Sequence, residues 1–277
     1  MSSTRRVVIF VLIAYAFSWL FWVPDALIAQ NLWDAPSTIR NFLAGPFNLG
    51  PYGPLFAALV TTALFGGRAA VISLLKRGLK VRLGKWWWWA LLTFPVLIGG
   101  SLGLAILFGS PIPDFPMLAQ PIALPIALVW IFFLGGPLQE EFGWRGYAFE
   151  HLRHTTSALY AAIVAGLMWG FWHLPLFFIP REDIYYNRPI WGLLLTTLLA
   201  GIILAWLYAN TGGSVFAAMV GHTMFNWSNV VFPSLESDAA ALILFGFYAL
   251  LAVFIVWRYG QRTLTGSRRE GAASQRG

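Results

Sequence analysis

The chain has 277 residues, of which 58% are hydrophobic and only 10% are charged. Soluble domains carry roughly 25% charged residues, so most of the surface of this protein must face lipid. The formal net charge of +7 does not indicate nucleic acid as a partner, because the Lys and Arg residues lie in short loops beside apolar runs. The absence of cysteine excludes disulfides, thiolate zinc ligands and a cysteine nucleophile.

Eight apolar runs are long enough for helices that cross a bilayer, which requires roughly 20 residues each. In chain order they cover 7–29, 47–66, 86–109, 121–138, 157–178, 190–209, 213–232 and 239–258. The runs lack the period-2 alternation of a membrane barrel, so the sequence predicts an all-α membrane protein with a bundle of about eight transmembrane helices.

The predicted bundle divides into three parts. They are the N-terminal transmembrane helices (1–120), a core (121–232), and the last transmembrane helix with a tail (233–277). The tail is rich in Gly, Ser and Arg from about Thr263 and is predicted to be disordered. A further short helix, from Leu138 to about His154, is less apolar than its neighbours and is predicted at the cytoplasmic boundary of the membrane, partly inside the bundle.

The charged residues fall unequally on the two sides of this bundle. With the N-terminus in the cytoplasm, the cytoplasmic segments hold Arg5, Arg6, Arg68, Lys76, Arg77, Lys80, Arg82, Lys85, Arg145, Arg153, Arg258, Arg262, Arg268, Arg269 and Arg276. The opposite side holds only Arg40, Arg181 and Arg188, together with Asp25, Asp34, Asp114, Glu182, Asp183, Glu236 and Asp238. This positive-inside pattern predicts a multi-pass protein of a bacterial or archaeal cell membrane with both termini in the cytoplasm.

Ionisable groups inside membrane spans are costly and therefore indicate function. The first such group is Glu140-Glu141, followed by Arg145. On a helix Glu141 and Arg145 are i and i+4 and can pair on one face, whereas Glu140 points about 100° away. The pattern predicts one carboxylate held by arginine and a neighbour left free for chemistry. A simple interfacial ion pair is the alternative.

Two histidines on later helices form the other groups. His173 lies deep in an apolar run, and Trp169 lies one turn earlier on the same face, where it can wall a pocket around the imidazole. His222 and Asn226 are i and i+4 and face one cavity, and a buried Asn needs hydrogen-bond partners. Taken singly, His173 also fits a core histidine bonded to a backbone carbonyl, and the second pair also fits helix packing.

Other polar residues near these groups are interpreted as structural rather than catalytic. Ser214, after a Gly-Gly turn, looks like the N-cap of the helix that carries His222, with a nucleophilic serine as the alternative. His151 and His154 are read as interfacial. One free Glu, two His and one Asn on three consecutive helical elements are nevertheless hard to explain by packing alone, since such groups bind a metal or activate water.

The motifs Glu-Glu-x-x-x-Arg, aromatic-x-x-x-His and His-x-x-x-Asn resemble, in this order, those of the CPBP family. This family comprises CAAX-processing proteases and bacteriocin-processing or immunity proteins of the Abi type. The resemblance covers roughly residues 120–232, and Trp169 stands where Phe is commoner. It implies an eight-helix endopeptidase similar to type II CAAX prenyl endopeptidases, with a site reached from the cytoplasm. The residues it implies for the site are Glu140 as the catalytic carboxylate, Glu141 and Arg145 as its support, and His173, His222 and Asn226.

We therefore expect an intramembrane endopeptidase whose partners are a peptide or membrane-protein substrate and the lipid bilayer. One hypothesis uses no cofactor: Glu140, assisted by His173, activates water, and His222 and Asn226 stabilise the oxyanion. The rival places a divalent metal such as zinc between Glu140, His173 and His222, since two His and one Glu form a catalytic zinc set. No His-Glu-x-x-His helix is present, and the sequence leaves this choice open.

Functions from other classes also fit parts of the pattern. A transporter can use His and Glu as a proton relay, although no inverted repeat or matching broken helices are visible. A catalytically silent immunity or regulatory membrane protein can keep the same fold. The sequence has neither the Gly-x-Ser-Gly motif of rhomboid proteases nor a pair of membrane aspartates.

Overall fold

The computed structural model describes residues 2–45 and 48–266, and it is helical throughout. Its helices are α1 (Ser3–Ala29), α2 (Ser37–Ala44), α3 (Gly53–Gly78), α4 (Trp86–Leu107), α5 (Ala123–Leu134), α6 (Pro137–Gly143), α7 (Glu150–Arg153), α8 (Ala158–Trp172), α9 (Ile190–Asn210), α10 (Val215–Val231) and α11 (Asp238–Tyr259). A π-helical segment, Trp144–Phe149, joins α6 to α7. No strand occurs within the described ranges, which confirms the all-α prediction. Residue 47 of the second predicted span, and the predicted tail beyond residue 266, lie outside those ranges.

Seven helical segments within the described ranges are long and apolar enough to cross a membrane, as expected of an integral multi-pass protein. The remaining predicted span, 213–232, corresponds to α10. This helix has only 17 residues and falls short of a full crossing by length alone. It nevertheless runs from the end of α9 back to the start of α11, so the described part of the chain traverses the bundle eight times.

The loops of the bundle meet at two opposite ends. At one end, the Lys80 ammonium donates to the Gly212 carbonyl at 2.9 Å, and the Ala158 amide donates to the Arg262 carbonyl at 3.0 Å. This end holds residues 2–6, 79–85, 154–157, 211–214 and 260–266, and we call it the terminal end. It includes both limits of the described chain, so the two termini leave the bundle on the same side.

At the other end, the Gln30 amide donates to the Phe178 carbonyl at 2.8 Å, and Arg188 donates to the Leu235 carbonyl at 2.9 Å. This end holds residues 30–45 and 48–52 with the segments 108–122, 179–189 and 232–237, and we call it the mouth end. The assignment of each cellular compartment to one of these ends stays a prediction.

Helix α3 does not run straight through the bundle. Gly67 has φ 68° and ψ −171°, which interrupts the helix. A Cβ at Gly143 would lie 2.6 Å from Pro54, while a Cβ at Gly78 would lie 2.3 Å from the Phe142 ring. A straight helix would separate residues 54 and 78 by about 36 Å. The two halves of α3 therefore fold back beside α6, and the first half, 53–66, corresponds to the predicted span 47–66. This half begins beside Ala14 and Ser18, near the middle of α1.

The short helix predicted at the membrane boundary lies deeper than expected. Its residues from Gln139 to Phe149 are all buried, and only its last turn, around Arg153, approaches the terminal end. The sequence analysis placed it at the boundary because its residues are less apolar than those of the neighbouring helices. The segment can nevertheless lie inside the bundle, because its buried charged side chains have hydrogen-bond or ion-pair partners there.

Helices α8 and α9 pack closely behind this segment because α8 carries a glycine where they cross. A Cβ at Gly166 would lie 2.7 Å from the Thr197 carbonyl oxygen and 2.9 Å from the Leu198 Cα. Both of these atoms belong to the α9 backbone and cannot rotate away. The close approach brings α8, and with it the site residues near its C-terminal end, against the centre of the bundle.

Gly166→Ala is therefore expected to destabilise the fold by about 1–3 kcal/mol through overpacking. The matched control is Gly103→Ala on α4, where nothing lies within 4 Å of the added Cβ. There the gain in helix propensity, about 1 kcal/mol, should leave stability unchanged or higher. Thermal unfolding of the detergent-purified variants, followed by size-exclusion chromatography, measures both. Equal unfolding temperatures would contradict the close packing of α8 on α9.

Candidate active site

A buried carboxylate, that of Glu141, connects two of the predicted motifs. Its Oε1 accepts a hydrogen bond from Arg145 Nη1 at 2.7 Å and lies 2.8 Å from His222 Nδ1. The Glu141 side chain is fully buried, and those of Arg145 and His222 are each only 2% exposed. The i, i+4 pair predicted from the sequence is present, but it lies inside the bundle rather than at an interface.

Glu140, the neighbouring carboxylate, points elsewhere and is held by Trp169. The indole Nε1 donates to Glu140 Oε2 at 2.5 Å. The other oxygen, Oε1, lies against the backbone of Gly136, where an added Cβ would approach it to 2.5 Å. Gly136 also has φ 111°, a conformation that favours glycine. The Gly135-Gly136 turn before α6 thus makes room for the free carboxylate.

Trp169 lies at the centre of the site rather than only at its wall. Its ring centroid is 5.0 Å from that of His222 and 6.2 Å from that of His173. The Arg145 guanidinium lies over the same ring at 4.6 Å. Glu140, the two histidines and Arg145 are therefore grouped around one indole, although they come from three separate parts of the chain.

His173 follows the last residue of α8, and its Nδ1 lies 2.9 Å from the Trp169 carbonyl oxygen. A carbonyl can only accept, so Nδ1 carries the hydrogen, and Nε2 of the neutral ring has a free lone pair. The ring packs against Trp172 at 4.7 Å and stacks on Tyr185 at 5.3 Å. The alternative of a core histidine bonded to a backbone carbonyl is thus correct for Nδ1, whereas Nε2 remains available for chemistry.

Asn226 and Ser214 have clear local partners. Asn226 Nδ2 donates to the Gly135 carbonyl at 3.0 Å, which ties α10 to the turn before Glu140. Ser214 Oγ accepts from the Ala217 amide at 3.0 Å and donates to the Lys80 carbonyl at 2.7 Å. Ser214 is therefore an N-cap, as the sequence predicted. His151 and His154 bond within their own helical turn near the terminal end.

A cavity of about 360 Å³ contains Glu140 and His173. Trp22, Trp130, Leu134, Gly136, Trp172 and Tyr185 are among its lining residues. It extends to residues 43–45 and 181–185, so it opens at the mouth end. The sequence analysis predicted that both termini lie in the cytoplasm and that the site is reached from the cytoplasm. These two predictions are incompatible, because the cavity opens at the end of the bundle opposite the termini.

The mouth of the cavity contains residues that the sequence analysis did not assign to the site. Arg181 donates both of its terminal nitrogens to the Asp25 carboxylate, which is 5% exposed. Burial disfavours the charged guanidinium, but the hydrogen bond and charge of Asp25 outweigh it, so the pKa of Arg181 is raised. Burial also raises the pKa of the Glu182 carboxyl. The position of Asp25 at the end of an apolar run could have indicated that it belongs to the site. No sequence pattern indicated Tyr185.

The predicted metal ligands Glu140, His173 and His222 do not form a group able to hold a metal ion. The same is true of every other set of three or more His, Asp and Glu residues within 2–45 and 48–266. The donor set as arranged does not fit a metal centre.

The segment that holds these residues matches a known family. Residues 122–228 match the family model described as type II CAAX prenyl endopeptidase, Rce1-like. A curated relative, CAAX prenyl protease 2 of Methanococcus maripaludis, is 33% identical over 141 residues. All three predicted motifs lie within the segment that matches the family model. The resemblance inferred from them is confirmed: the chain is similar to CAAX-type intramembrane proteases.

The extent of this similarity is limited to part of each protein. The alignment with the curated relative covers 49% of this chain and 52% of the relative. The chain thus spans about half the length of the curated relative it matches. The segment that matches the family model, 122–228, lies within the core predicted at 121–232, and α1 contributes Trp22 to the lining of the cavity.

Arg145→Ala is expected to lower the free energy of unfolding by about 3–5 kcal/mol, because it leaves the buried Glu141 carboxylate without its cation. Thermal or denaturant unfolding of detergent-purified protein measures this loss. Arg40→Ala is the matched control, since it breaks the exposed pair with Asp34, a type of pair worth at most about 1 kcal/mol. A similar loss in both variants would show that the buried pair has no special role.

Proposed function

We propose, on the premise of the Rce1-like match over residues 122–228, that this protein is an intramembrane endopeptidase that hydrolyses a peptide bond with water activated by Glu140. The single observation that carries the proposal is the grouping of Glu140, His173 and His222 around the Trp169 indole, beside a cavity. Helix packing alone does not explain why a carboxylate faces a cavity next to two histidines. The substrate is a peptide or a membrane-protein segment.

In the proposed reaction, Glu140 takes a proton from a water molecule, and the water oxygen attacks the scissile carbonyl carbon. The His173 Nε2 lone pair accepts the second hydrogen of that water and orients it. The tetrahedral intermediate then collapses, its C–N bond breaks, and Glu140 returns the proton to the leaving amine. The Trp169 N–H bond supports this role because it fixes the direction of the carboxylate.

The negative charge on the tetrahedral oxygen needs donors. Asn226 has a second N–H besides the one bonded to Gly135 and donates it to the oxyanion. His222 binds Glu141 through Nδ1, and its Nε2 donates to the oxyanion when the ring carries a hydrogen on both nitrogens. Arg145 balances the charge of Glu141, so that this carboxylate does not oppose the developing oxyanion.

Glu140→Gln is expected to reduce kcat by about 10²- to 10⁴-fold, because the amide keeps an oxygen for Trp169 but cannot take a proton. Asn226→Ala should lose about 10²- to 10³-fold as an oxyanion donor. Cleavage of a prenylated CAAX peptide, the substrate class in the curated relative's name, measures both in detergent. Glu236→Gln, an exposed residue at the mouth end, is the matched control. Wild-type rates for Glu140→Gln with unchanged folding would refute the mechanism.

Exhaustive removal of divalent metals is expected to leave the cleavage rate unchanged, because every step above uses groups of the chain and one water molecule. Purified protein treated with a strong chelator, with its metal content checked by elemental analysis, tests this. Loss of activity that is restored by stoichiometric zinc would refute the metal-free mechanism. It would favour instead a rearranged site in which Glu140, His173 and His222 bind the ion.

A further inference from the structure

The two ends of the bundle differ strongly in charge. The basic residues at the terminal end are Arg5, Arg6, Arg68, Lys76, Arg77, Lys80, Arg82, Lys85, Arg153, Arg258 and Arg262, beside the acidic Glu150. Within the described ranges, the mouth end has the basic residues Arg40, Arg181 and Arg188. Its acidic residues are Asp25, Asp34, Asp114, Glu182, Asp183, Glu236 and Asp238. Lys and Arg in short loops beside spans are retained in the cytoplasm, so this bias places the terminal end there.

The cations of the mouth end are also largely neutralised. Arg181 is paired with Asp25 and lies 3.8 Å from Glu182, and Arg40 is paired with Asp34. At the terminal end, by contrast, the exposed loop 79–85 carries Lys80, Arg82 and Lys85 with no acidic residue between them. Arg77 and Arg153 at the terminal end also pair with Glu150, so the difference between the two ends rests on the larger number of Lys and Arg residues at the terminal end.

From this charge asymmetry and the position of the cavity, we infer that the site receives its substrates at the non-cytoplasmic face of the membrane. The inference rests on the proposed function and narrows its substrate class. The substrate is a peptide, or a segment of a membrane protein, that is presented outside the cytoplasm. This inference replaces the expectation of cytoplasmic access, which came from the family resemblance.

The residues that line the cavity indicate how such a segment enters. Trp130 and Leu134 of α5 line the cavity and are 57% and 53% exposed, on a surface that faces lipid. A segment that emerges from the non-cytoplasmic leaflet therefore reaches Glu140 without crossing the bilayer. The surplus of carboxylates at the mouth favours neutral or basic segments over acidic ones.

The absence of cysteine in the chain makes a direct test of orientation simple. Ile184→Cys places a thiol on a residue that lines the cavity and is 65% exposed, and Ile112→Cys reports on a second mouth-end loop. Gln261→Cys is the matched reporter at the terminal end, where its side chain is exposed. None of the three changes a Lys or Arg. A membrane-impermeant maleimide applied to intact cells should label residues 184 and 112, and should label residue 261 only after permeabilisation.

Labelling of residue 261 in intact cells, or no labelling of residue 184 there, would overturn the inference. Labelling of all three thiols in detergent shows that each is reachable. The assay needs no activity, so it separates this inference from the proposed function. A cytoplasmic mouth in a chain that cleaves peptide in detergent would refute the inference alone. Coupling a bulky maleimide to residue 184 of purified protein should block cleavage, whereas coupling to residue 261 should not.

Discussion

The site depends on one buried carboxylate, that of Glu141, which must be neutralised because it has no access to water. A buried charge without a partner costs several kcal/mol, so the pairing with Arg145 and His222 is close to obligatory. The bond to His222 connects α6 to α10, and Arg145 lies over the indole that binds Glu140. The orientation of the free carboxylate thus depends, through three contacts, on the neutralisation of its neighbour.

The backbone around Glu140 and Glu141 separates their roles. The glycines before α6 let one carboxylate approach the main chain, and the π-helical segment begins directly after Gly143. Single-turn π segments occur frequently at functional sites, where they alter the direction of side chains. Here the segment carries Arg145, whose guanidinium reaches both the Glu141 carboxylate and the Trp169 ring. Adjacent and identical residues therefore have different partners because the local geometry differs.

Local sequence rules predicted the parts of the site that depend on nearby residues. The Glu141–Arg145 pair and the Ser214 cap follow from spacing along one helix, and the apolar runs located the crossings, including the end of one at residue 66. The His222–Glu141 bond joins residues 81 positions apart, and helical periodicity carries no information about it. The hydrogen bond from the Trp169 indole to Glu140 is equally unpredictable from the sequence, because it forms only when α8 packs against α6.

The direction of the cavity could not be predicted because it depends on which loops cover the site. The charge distribution separated the loops into two sets, and the sequence analysis placed the Leu138–His154 segment, with Glu140, beside the cytoplasmic set because it is less apolar than its neighbours. The contacts of the 179–185 segment place the cavity at the other end, since this segment lies next to His173 through Tyr185 and next to α1 through Asp25. Tyr185 lies in a segment without periodicity, where residue type alone indicates little.

The reversal of α3 at Gly67 has a consequence for the surrounding lipid. The crossing part, residues 53–66, rises only about 21 Å, against a hydrocarbon thickness of about 30 Å. A bilayer adapts to such hydrophobic mismatch by becoming thinner beside the short helix. Because α3 packs against the buried α6, the thinner bilayer beside α3 is separated from the helix of Glu140 by α3 alone, which shortens the path of water and of an extended chain to the interior of the bundle.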